Sequence, residues 1–93
     1  MKVKVTNHLW VAADVQIIIA TGASQQVFRL VTSEQQATAF GRKTANSVKD
    51  FVERRVNNLN SDHPVQFRVM DSTIPKGLWV VYGVQELELD SES

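Results

Sequence analysis

Ninety-three residues at 10.4 kDa make a single domain, spanning 1–93. With 43% hydrophobic and 22% charged residues, two prolines and four glycines, the chain falls outside the disordered, collagen-like and low-complexity classes. Ten Lys and Arg balance ten Asp and Glu, so no global charge points to nucleic acid or membrane, and a cysteine count of zero removes disulfides, thiolate zinc sites and cysteine nucleophiles together.

The apolar stretch at 9–13 follows Lys2 and Lys4, the order of a secretory signal. Asn7, His8, Asp14 and Gln16 interrupt it well short of a signal core or a membrane span. The expected location is therefore cytoplasmic, in keeping with the missing cysteine.

Residues 2–11 alternate and then carry Leu9, Trp10 and Val11, which reads as a strand broken near Asn7 and His8. Residues 15–20 are rich in β-branched side chains, and 21–24 (Thr, Gly, Ala, Ser) have turn chemistry. Residues 26–31 are the returning strand of an antiparallel hairpin. Thr32 with Gln35, or Ser33 with Gln36, has the spacing of a capping box. Beyond it Ala37, Phe40, Thr44, Val48, Phe51, Val52 and Leu59 recur at three- and four-residue steps. The pattern predicts one helix over 33–59, about 40 Å long at 1.5 Å per residue. Asn57, Asn58, Asn60 and Ser61 close it, and Pro64 cannot continue it. Residues 65–70 alternate again, 74–77 form a proline–glycine turn, and 78–89 are the last strand, with a bulge expected at Gly83.

The expected fold is α+β in two layers: four or five mostly antiparallel strands with one long helix across one face, in the order β-β-β-α-β-β. That order is similar to the β-grasp domains, a likeness of element order that implies no function.

Chemistry finds little support. His8 and His63 are far apart in sequence, and Asp62 beside His63 is a neighbour that seldom points the right way for acid–base work. No nucleophile elbow, metal-ligand spacing or phosphate-cradling glycine run occurs, so the expectation is no enzyme, no metal and no cofactor. Ala37, Gly41 and Ala45 form a small-residue stripe, suited to close approach of helix and sheet or to a partner helix. Arg55 stands on the apolar helix face. It snorkels, pairs with Asp62 or Asp71, or meets a second copy.

Residues 1–85 hold all ten bases against six acids, a charge of +4, whereas 86–93 hold Glu86, Glu88, Asp90 and Glu92 and no base, a charge of −4. This acidic end reads as a charged strand edge around Leu87 and Leu89, with 90–93 disordered. Its functional alternative is a tail that engages a basic partner or covers the chain's own basic side.

One helix covers one sheet face. With Ile17, Ile19, Phe28, Leu30, Phe67 and Tyr82 toward the helix, the other face shows Ile18, Val27, Arg29, Val31, Arg68, Met70, Trp79 and Val81. Apolar residues on both faces predict a covered second face. Contact with a protein, most simply a second copy in a two-fold dimer, is the first reading, because Val27, Val31, Met70 and Val81 make the patch more aliphatic than basic. The second reading is single-stranded nucleic acid on a platform of Arg29, Arg68 and Trp79. Trp79 as ordinary core is the third. The functional expectation is a small non-enzymatic accessory or regulatory protein working by protein contact, with no membrane partner.

Overall fold

In the computed structural model, which describes residues 1–59, 61–72 and 77–90, β1 (Lys2–Ile18) is one unbroken strand of 17 residues. The break expected at Asn7 and His8 does not occur. Asn7 lies opposite Gln85 and donates from Nδ2 to Gln85 Oε1 at 3.3 Å, so a residue with turn chemistry is held in the ladder instead. The two early strands foreseen at 2–11 and 15–20 are therefore one element, and the sheet has four strands, not five. At Gly22, φ is +67°, a value that glycine adopts without a Cβ clash, and the chain returns there as β2 (Ala23–Val31).

β3 (Val65–Asp71) and β4 (Trp79–Asp90) complete a sheet ordered β2-β1-β4-β3 with every pairing antiparallel. The architecture is α+β, as expected, but the strand order is simpler than β-β-β-α-β-β. No bulge forms at Gly83, which keeps register with Leu9 on one side and Phe67 on the other. A Cβ on Gly83 would stand 2.6 Å from Phe67 Cε1 and 2.9 Å from Val65 Cγ1, so the missing side chain makes room for the Phe67 ring.

The helix α1 (Arg42–Leu59) has 18 residues, about 27 Å, and begins nine residues later than the pattern predicts. Ser33 is extended and makes no side-chain cap; it precedes a single 3-10 turn at Glu34–Gln36. Residues 38–40 are then drawn into the sheet. Thr38 N donates to the Val11 carbonyl at 3.1 Å, its Oγ1 accepts from Ala13 N at 2.8 Å, and Phe40 and Trp79 exchange two backbone bonds of 2.7 Å. These bonds place the segment between β1 and the start of β4, where a direct ladder would otherwise continue. The stripe of Ala37, Gly41 and Ala45 is accordingly not a helix stripe, since the first two precede α1.

The core lies between α1 and the sheet: Val11, Phe40, Ala45, Val48, Val52, Val65, Phe67 and Val81, with Leu9, Phe28, Val56, Val69 and Trp79 around it. Val48 and Val52 point inward as the periodicity requires, whereas Phe51 and Leu59 stay exposed at the margin of the buried stripe. α1 lies over β3 and β4. Two polar side chains fasten it there. Asn57 accepts from Val65 N (2.8 Å) and donates to the Val65 carbonyl (3.1 Å), and Glu53 accepts from Phe67 N (3.0 Å).

The acidic end is a strand end rather than a tail as far as Asp90. Asp90, Glu88 and Glu86 lie opposite Lys2, Lys4 and Thr6, so two of the acids face lysines across the ladder. Leu87 and Leu89 are likewise in β4, an inner strand whose last residues have no β3 neighbour. Glu92 and the rest of 91–93, with most of the 74–77 turn, lie outside the described residues.

Candidate functional site: an open edge and an apolar groove

The two edges of the sheet are unlike. At β3, Glu53 and Asn57 reach down from α1 and take up backbone groups of Val65 and Phe67, which occupies the first part of that edge. At β2, among the described residues, the one side-chain bond to the backbone is Thr21 Oγ1 accepting from Ala23 N at 3.4 Å, inside the turn. The backbone groups that alternate outward along β2, those of Ser24, Gln26, Phe28 and Leu30, are met by no side chain among the described residues.

Between Asp14 and Arg29 the chain carries no charged residue at all. Asp14 and Arg29 close this stretch with an ion pair of 2.6 Å. Beyond that pair the β1–β2 arm stands clear of the helix, with Val15 and Ile17 each 70% exposed and Ile19 94%. An uncharged strand pair with Val15, Ile17 and Ile18 on one strand and a bare edge on the other is what native sheets normally avoid. Alongside it runs a groove of 320 Å³ between β2 and α1, lined by 25–30 of the strand and by Phe51, Val52, Arg55, Val56 and Leu59 of the helix. Phe28 and Phe51 meet at 5.8 Å across its floor, and Phe51 and Leu59 leave 52% and 78% of their surface exposed.

The residues expected on one interaction face divide three ways. Val27 and Arg29 of β2 and Arg68 and Met70 of β3 do share the face away from α1, at opposite edges of the sheet. Val31 belongs to that face but is buried together with Ala12 and Val80, near where the 3-10 turn packs on β1. Trp79 and Val81 are on the helix side instead. Val81 is fully buried in the core, and Trp79 packs against the core with the Arg42 guanidinium 4.9 Å from its ring centroid. Tyr82, expected inward, takes the outer face. Arg55 is exposed on the groove wall and makes no ion pair among the described residues, with Asp62 and Asp71 included.

Sequence reasoning missed the centre of the outer face. Arg68, Tyr82 and Trp10 follow one another across three strands, with the Trp10 and Tyr82 rings 5.1 Å apart. His8 stacks on Tyr82 at 5.9 Å, and its Nδ1 is hydrogen-bonded to the Tyr82 hydroxyl. It also missed the arm, whose signal was the charge-free run from 15 to 28 in a chain that is 22% charged. Among the described residues no group of three or more His, Asp or Glu could hold a metal ion, and no helix is long and apolar enough to cross a membrane.

Comparison of the chain with protein-family models, with curated proteins and with solved structures found no match.

Proposed function

We propose that this protein is a small non-enzymatic accessory or regulatory module that works by protein–protein contact, through the β1–β2 arm and the groove beside β2. The observation that carries the reading is the uncharged, exposed arm with its uncapped outer edge next to a recess where Phe28, Phe51 and Leu59 meet solvent. Apolar surface of this kind costs free energy in water, at roughly 25 cal/mol per Å², and its contiguity marks a contact surface rather than scattered exposure. A photoreactive benzoylphenylalanine at position 17, irradiated in cells, tests the reading. The expected result is covalent adducts to protein, with none from the same group at position 66 on the outer face. Adducts to nucleic acid alone, or no adducts, would overturn it.

A second reading is supported by the row Arg68, Tyr82 and Trp10: single-stranded nucleic acid stacked on the outer face. Trp10 takes the stacking role assigned from sequence to Trp79. Binding of single-stranded RNA or DNA that falls steeply with salt and disappears in Trp10→Ala favours this reading over the first.

A further inference from the structure

Resting on the protein-contact reading, we propose that the partner is a second copy of this chain, docked about a two-fold axis at Val27 so that β2 pairs antiparallel with β2 of its mate. The result is a continuous eight-stranded sheet whose two outer edges are both β3.

Three observations point to this occupant. The first is which edge is open. Glu53 and Asn57 occupy the first part of the β3 edge, at Val65 and Phe67, whereas no side chain occupies β2 beyond its turn, so β2 is the edge better suited to growth of the sheet, and a self-complementary edge closes when two copies meet through it. The second is area. The chain exposes 7007 Å², against about 5,400 Å² for a compact monomer of 10.4 kDa. The excess, about 1,600 Å², is more than the roughly 800 Å² that each partner contributes to a standard interface. The molecule is also flat and long, 53 × 37 × 20 Å, with a radius of gyration of 15.6 Å where a compact chain of its length has about 12 Å.

The third is register. An axis at Val27 overlaps all nine residues of β2, opposing Ala23 to Val31, Ser24 to Leu30, Gln25 to Arg29 and Gln26 to Phe28 of the mate. No charge then meets a like charge. An axis at Arg29 would set two guanidinium groups against each other and shorten the ladder. Phe28 and Leu30 of each copy are on the α1 side, where the incoming strand borders the groove of its mate.

The absence of cysteine makes the test direct. Sedimentation from low to high micromolar concentration is expected to give a dimer. Val27→Lys sets two ammonium groups face to face on the axis and should raise the dissociation constant about tenfold or more. Within its own chain that lysine faces Asp14, so the monomer is not asked to bury an unpaired charge. Val27→Glu should dissociate likewise, and an equimolar mixture of the two variants should dimerise again, a recovery that misfolded chains would not show. Val27→Cys should oxidise to a covalent dimer, because facing Cα atoms of paired strands stand within disulfide range, while Met70→Cys should not. A monomer at every concentration overturns self-pairing; the contact reading is then judged by the adducts at position 17 alone. A dimer that Val27→Lys leaves intact, or that Met70→Cys cross-links, overturns this axis.

Discussion

Gly83 shows how one absent side chain can set the phase of a strand. Val80, Tyr82 and Val84 on one parity of β4 and Trp79 and Val81 on the other are all apolar or aromatic. Alternation therefore carries no information about which side faces α1. The phase is set by the row of Leu9, Gly83 and Phe67, in which the Phe67 ring lies over the glycine. Here the reading from sequence took the glycine for a bulge and turned Trp79, Val81 and Tyr82 to the wrong sides. Gly83→Ala is expected to lower stability by about 2 kcal/mol through overpacking, and the melting temperature by about 10 °C. Calorimetry checks this, and an unchanged melting temperature would mean that Phe67 can move aside. The charge-free run at 15–28 was legible in principle, but it needs a count of what is missing rather than of what is present.

At the level of elements, the helix was legible as a helix and misjudged at its start. Val48 and Val52 gave the right face because the period is long-range information within one element. Residues 33–41 fit the same period, yet backbone groups of Thr38 and Phe40 go to Val11 and Trp79, and the Thr38 hydroxyl to Ala13, all distant in sequence. Local spacing cannot register such competition. The attachment of α1 to β3 rests on Asn57, which serves both backbone groups of the buried Val65. Asn57→Ala should cost about 1–2 kcal/mol in urea unfolding, since it strands a donor and an acceptor at once. Loss well below that range would assign the clamp to Glu53. At the other end of the sheet, truncation after Gln85 removes five of the nine residue pairs that join β1 to β4. A fall in melting temperature of several degrees is expected. Truncation after Leu89, which removes one pair, should leave the transition nearly where it was.

At the scale of the whole molecule, class and layering were legible because hairpin, helix and hairpin leave few ways to bury one core. Which edge stays open was not, for that depends on where Glu53 and Asn57 arrive once α1 has docked. The order of the sheet has a further consequence, in time rather than in space. β1 finds β2 through a short turn, but its partners in β4 are 72 to 88 residues away along the chain. At about 5–20 residues per second, synthesis separates the two events by on the order of ten seconds. For that interval the nascent hairpin is bare along both edges. The pairing of β4 with β1 is a closure whose loop is nearly the whole chain, and contact order predicts that it forms late. Phe40 pairs with Trp79 at the start of β4, three residues before Tyr82 meets Trp10 of β1, so residues 38–40 adjoin the place that the last strand fills. The segment that shortens the helix thus also borders the last strand where it begins.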